Sequence, residues 1–147
     1  MVTDHYSELS VDKYIFKIKN SFFYGTNHLW FDYNDYEVTI GLSDYLQQTI
    51  GDIAFLSFPK IGSEIKQNIP CIEIETIKVN HEISFSFNGT VLDVNDELVD
   101  SPEIVNNDPY DKGWLVKIKI NDTDLIKKSQ MSSEQYIEFV KNEIDKS

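Results

Sequence analysis

Hydrophobic and polar residues alternate over short stretches of this chain, with turn-forming residues between them. Val11–Lys19 alternates loosely, with Tyr14, Phe16 and Ile18 set against Ile15, Lys17 and Lys19, and predicts a first strand ended by Asn20 and Ser21. Leu29–Tyr33 and Tyr36–Gly41 read as the two strands of a hairpin, because Asn34-Asp35 tolerates tight-turn geometry. A short helix over Asp44–Ile50 follows, with Ser43 as N-cap and Gly51 as its stop. Further strands are predicted over Ile53–Phe58, stopped by Pro59, and over Ile69–Ile77, where Ile72 and Ile74 oppose Glu73 and Glu75. Ile83–Phe87 is read as the next strand, Asn88-Gly89 as a tight turn into Thr90–Val94, and Trp114–Ile120 as the last strand. The end of the chain changes period: Tyr136, Phe139, Val140 and Ile144 recur at helical spacing behind a Ser132/Gln135 capping box.

Many short strands with brief peripheral helices point to a β-sandwich or small barrel. With 147 residues, the chain is expected to form a single domain over 1–147, with 1–20 an N-terminal extension and 132–145 a C-terminal helix. The longest apolar runs are far short of the roughly 20 residues that span a bilayer, so no membrane is expected. Asp4 and Glu8 stand where a secretory signal would need basic and then apolar residues, so a cytoplasmic location is expected, or the mitochondrial matrix for a eukaryotic source.

Charge narrows the partners. The formal net charge is −12, and all 13 basic residues are lysines, so no guanidinium fork is available for phosphate or guanine and nucleic acid is not an expected partner. Such a field favours basic protein surfaces. Between Glu73 and Asp108 nine carboxylates surround one cation, Lys78.

No catalytic constellation is legible. The six glycines form no phosphate-binding loop, His5, His28 and His81 lack metal-ligand spacing, and a single cysteine, Cys71, excludes intrachain disulfides and multi-cysteine metal sites. Catalytic and metal residues are therefore expected to be none. Glu73 and Glu75 share one strand face, as a solvated acidic surface would. Glu75-Thr76-Ile77-Lys78-Val79 is different, since a strand ending at an isolated lysine before a polar turn would present one amine at a hairpin tip, suited to carry a prosthetic arm.

At this point the chain resembles the glycine cleavage system H protein family, in order from about His28 to Phe139. His28-Leu29-Trp30 is similar to the family's HxW, Gly41-Leu42-Ser43-Asp44-Tyr45 to GITDYA, and Gly51-Asp52-Ile53 with Phe58-Pro59-Lys60-Ile61-Gly62 to GDI and LPEVG. Glu75-Thr76-Ile77-Lys78-Val79 resembles the lipoylation segment ESVKA. Ser101-Pro102, Asn106 to Tyr110 and Gly113-Trp114-Leu115 are similar to SPELVN, DPYG and GWL. Asn68, Ser86, Phe87, Asp111 and Leu29 depart from the pattern.

The resemblance implies a mainly β fold, the lipoyl-carrier barrel-sandwich hybrid of two small antiparallel sheets, with short peripheral helices and a C-terminal helix. It implies a non-catalytic carrier with lipoate covalently on Lys78, and Glu75 and Gly89 as recognition positions for a lipoate ligase or lipoyl transferase. The implied work is glycine catabolism: shuttling an aminomethyl group between glycine decarboxylase (P), aminomethyltransferase (T) and dihydrolipoamide dehydrogenase (L). The alternative is an H-like lipoate-binding protein serving a heterodisulfide-reductase-like sulfur oxidation complex or a lipoate relay. A non-lipoylated interaction module is the third class.

Overall fold

The computed structural model describes residues 5–146; residues 1–4 of the expected extension, with Asp4, lie outside them. The elements are β1 (Tyr6–Val11), β2 (Tyr14–Lys19), β3 (Phe23–Tyr24), β4 (Leu29–Asn34), β5 (Glu37–Leu42), α1 (Asp44–Ile50), β6 (Ile53–Ser57) and β7 (Glu64–Ile65). There follow β8 (Ile72–Thr76), β9 (Asn80–Ile83), β10 (Gly89–Val94), α2 (Glu97–Asp100), α3 (Glu103–Asn107), β11 (Val116–Lys119), α4 (Thr123–Lys128) and α5 (Ser133–Lys146).

Two antiparallel sheets form the expected pair, a six-stranded one ordered β3-β4-β5-β11-β10-β7 and a three-stranded one ordered β6-β8-β9. Their inner faces meet in one buried cluster that includes Val38 and Ile40 from one sheet and Leu56, Ile72 and Ile74 from the other. A second cluster joins Leu9, Phe16 and Ile18 of a separate β1-β2 hairpin to Trp30, Tyr110, Tyr136 and Val140. β4 therefore buries both faces at its start, Leu29 and Phe31 into the first cluster and Trp30 into the second. Alternation fails there because both sides of the strand are covered. Among the described residues no helix is long and apolar enough to cross a membrane.

Several boundaries differ from the pattern. Val11–Lys19 is not one strand: Val11 ends β1, Asp12 turns with φ 54°, and Tyr14 begins β2. Alternation running through the turn hid the hairpin. The strand expected over Ile83–Phe87 lies earlier, at Asn80–Ile83. Phe85 and Phe87 are buried from a loop, whose backbone bonds to the preceding turn, with Asn68 N–H donating to the Phe85 carbonyl at 2.7 Å. Asn88-Gly89 is not a two-residue turn either. Asn88 Oδ1 accepts the Gln67 N–H at 2.7 Å, while Gly89 already pairs with Ile65 in the ladder and does not lie in the left-handed region. The strands expected over Ile69–Ile77 and Trp114–Ile120 shorten to β8 and β11. β3, β7, α2, α3 and α4 are too short to leave a periodic signal.

α1 begins as its sequence predicts. Ser43 is fully buried, its hydroxyl oxygen accepts the Leu46 N–H at 3.1 Å, and it lies 2.8 Å from the Tyr136 hydroxyl on α5. Ser43→Ala removes a helix cap and one of the two partners of the buried Tyr136 hydroxyl, so a loss of about 1–2 kcal/mol is expected in denaturant unfolding. An unchanged midpoint would contradict this role. At the other end, Ser132 and Gln135 form the reciprocal capping pair of α5, with Ser132 N–H donating to Gln135 Oε1 at 2.9 Å and Gln135 N–H to Ser132 Oγ at 3.3 Å.

Candidate functional site

Lys78 sits in the three-residue loop Ile77-Lys78-Val79 that joins β8 to β9, just beyond the last ladder pair, Glu75 with Asn80. Thr76 makes this loop rigid. Its N–H donates to the Val79 carbonyl at 2.9 Å, and its hydroxyl oxygen accepts the N–H groups of Lys78 at 3.1 Å and Val79 at 3.0 Å. A threonine hydroxyl thus does locally what a longer ladder would do, and holds the backbone while the side chains project. Ile77 is 88% exposed and Lys78 is exposed beside it. This delivers one amine, on a fixed base, to whatever can reach it.

The stem of Lys78 lies over the end of α1. A Cβ added at Gly51 would stand 3.5 Å from Lys78 Cε and 3.6 Å from Cδ. Gly51 has φ 86°, which a glycine adopts freely, and its N–H donates to the Gln47 carbonyl to close the helix. Beside Lys78 lies a cleft of about 300 Å³, walled by Tyr14 and Phe16 of β2, Gln48 of α1 and Ile144 of α5. The sequence pattern missed this cleft because its walls come from three elements distant in the chain; Gly51 was legible only as a helix stop.

The other expected site residues are placed differently. Glu75 is exposed on β8, in a cross-strand row with Phe55 and Asn80, three residues before the lysine. Gly89 is not at the Lys78 loop. β9 runs away from that loop until Ile83 pairs with Ile72, and Gly89 begins β10 in the other sheet. Cys71 is half-buried against the first core cluster, and burial pushes its thiol up to about 11, leaving a protonated, weakly nucleophilic group.

Of the three histidines, His5 is exposed, whereas His28 anchors a network that ties α5 to α1. Its Nδ1 lies 2.8 Å from the Tyr136 hydroxyl, which meets Ser43 Oγ at 2.8 Å, and its Nε2 lies 3.6 Å from Glu143. One direction satisfies the chain: Ser43 donates to Tyr136, Tyr136 donates to Nδ1, and Nε2–H faces the carboxylate. Protonating His28 reverses that polarity and leaves the Ser43 hydroxyl hydrogen without its acceptor. Burial lowers the His28 pKa below its ordinary value of 6.5, with Glu143 pulling the other way, and burial lowers His81 as well. Between the folded and unfolded values the unfolded chain binds the proton that the native state refuses. This stability is therefore complete above pH 6.5 and declines as pH falls through it. Thermal melts should fall between pH 7.5 and 5.5, less steeply in His28→Asn, which keeps a residue tolerant of the left-handed backbone at φ 65°. Equal pH slopes in the two proteins would sink this account.

Comparison with known proteins gives one consistent result. The family model for glycine cleavage H-protein matches residues 22–143. A probable glycine cleavage system H protein of Pyrococcus abyssi is 38% identical over 128 residues, 86% of this chain and 95% of its own length. The glycine cleavage system H protein of Bacillus subtilis is 37% identical over 120 residues, 82% of this chain and 94% of its own. The crystal structure of a glycine cleavage system H protein from Mycobacterium marinum superposes with a TM-score of 0.70, covering 81% of this chain and 95% of that one. At 23% identity it speaks for the fold alone.

Proposed function

Because the chain belongs to the glycine cleavage H-protein family, we propose that it works through lipoate joined as an amide to Lys78 Nζ. It is a non-catalytic carrier, and the family match and the relatives named above do not support the sulfur-oxidation alternative. The observation that carries the attachment reading is the exposed amine on the Thr76-locked loop, the one lysine in a stretch of nine carboxylates. Held on Lys78, lipoate would supply a disulfide able to accept the aminomethyl unit on one sulfur, and the dithiol left once that unit is given up would be reoxidised.

The residues of the chain do the rest. The Thr76 hydrogen bonds hold the base of the arm, the bare Gly51 backbone leaves room for the Lys78 stem, and the apolar cleft of Tyr14, Phe16 and Ile144 offers the arm a wall to lie against between encounters. Glycine decarboxylase, aminomethyltransferase and dihydrolipoamide dehydrogenase are the partners this reading requires, with a lipoate ligase or lipoyl transferase to load the arm. Tethering raises the concentration of the cargo at each partner, which is the gain a carrier provides. Glu75 and Gly89 are proposed as recognition positions for the loading enzyme, Glu75 by direct contact and Gly89 through the sheet geometry it permits.

The test is to lipoylate the full chain and mix it with glycine decarboxylase and glycine. An aminomethyl adduct is expected by intact mass, and its absence on a fully lipoylated chain would overturn the glycine reading.

A further inference from the structure

Among the described residues nothing covers the outer face of the β6-β8-β9 sheet. Its cross-strand rows are Ser57, Glu73, Glu82 and Phe55, Glu75, Asn80, all six exposed. Glu73 and Glu82 stand directly opposite one another, and like charges so placed destabilise a sheet. Neither takes part in an ion pair among the described residues. They line a notch of about 130 Å³ together with Ser57, Pro70, Cys71 and Ile72. The 53% exposed ring of Phe55 lies in the next row.

We propose that this notch receives an arginine side chain of the enzyme that lipoylates Lys78. The proposal rests on the attachment reading above and adds to it the surface by which that lysine is chosen. Before the arm exists, only the protein around Lys78 distinguishes it from the other lysines, so the loading enzyme is the partner that most needs such a surface. β8 and β9 fix the notch to the Lys78 loop, with Glu73 five residues before the lysine and Glu82 four after it. Two facing carboxylates with no cation of their own match a planar guanidinium, which can bond to both, better than a point-charge ammonium. Phe55 offers an apolar contact beside the charged one, the usual make-up of an anchor at an interface.

The test follows lipoylation of the full chain by a lipoate ligase, read by intact mass, for the double variant Glu73→Gln with Glu82→Gln. Its kcat/KM is expected to fall at least about threefold with a weaker salt dependence, while its melting temperature holds or rises as the repulsion is removed. A structural role would lower both together. Glu82→Lys, which supplies the missing cation from within, should melt at least as high and lose modification more steeply. The pair Glu97→Gln with Asp100→Asn makes the same change of charge on α2 and should leave the rate within twofold. A smaller fall in the notch variant, or an equal fall in the α2 variant, overturns the proposal. A wild-type chain that takes up no lipoyl group would overturn the attachment reading instead.

Discussion

Lys78→Arg is expected to abolish lipoylation and all carrier activity while leaving the fold intact. The substitution keeps the positive charge and most of the stem, so the field around the loop hardly changes, and the side chain is exposed, its stem lying over Gly51 beside the cleft. Surface changes of this kind stay within about 0.5 kcal/mol. The chemistry is lost, because a guanidinium stays protonated at any working pH and is no nucleophile toward an activated acyl group. Twelve other lysines remain, several of them exposed, yet none sits on a loop locked as Thr76 locks this one. Intact-mass measurement after incubation with a lipoate ligase should show one lipoyl group on the wild type and none on the variant. An adduct on the variant would mean that another lysine is the attachment site.

The Lys78 loop was legible because its information is local: a period-2 strand, a threonine, a lone lysine and a second strand lie within about a dozen residues. A fold of many short strands in a sandwich or small barrel was legible from the turns between them, but the pair of antiparallel sheets came from the family resemblance, since β5 with β11 and β10 with β7 join strands far apart in the chain. The cleft beside Lys78 was not legible, since Phe16, Gln48 and Ile144 come together only when β2, α1 and α5 pack. The His28 network escaped notice on similar grounds: a lone histidine in a chain says nothing of the buried Tyr136 and Ser43 that decide its protonation. Ile83, Phe85 and Phe87 misled by their period, which marks three inward-pointing side chains whether or not their backbone belongs to a ladder. Asn68 shows a departure from the family pattern absorbed without cost, because it adopts φ 64°, a conformation asparagine tolerates nearly as glycine does.

Gly89→Val is expected to lower both stability and the rate of lipoylation, for a reason other than the one its Asn-Gly context suggests. Gly89 has no left-handed backbone to protect. It is small because β10 and β11 approach closely there: an added Cβ would lie 2.7 Å from the Lys119 carbonyl oxygen, 2.6 Å from Ile118 Cγ2 and 3.1 Å from Ile120 Cγ2. A side-chain methyl can rotate away, but a ladder carbonyl cannot, so the strands must part. Overpacking of this kind costs about 1–3 kcal/mol, which lowers the melting temperature by roughly 3–12 °C in a domain of this size and leaves it folded. Lipoylation should then be compared below both melting transitions. The carrier sheet follows on from Ile65 and Gly89 through short loops, so a displaced β10 disturbs the loop that buries Phe85 and Phe87 beneath β9. A severalfold slower rate is expected, smaller than the complete loss at Lys78. If the melting temperature falls as expected while the rate equals that of the wild type, Gly89 serves packing alone and has no part in recognition. Ile118→Ala, which weakens the same buried cluster without adding a side chain at Gly89, separates the two effects: it should lower the melting temperature at least as far, and a wild-type rate in it beside a slow one in Gly89→Val would locate the defect in what the modifying enzyme reads.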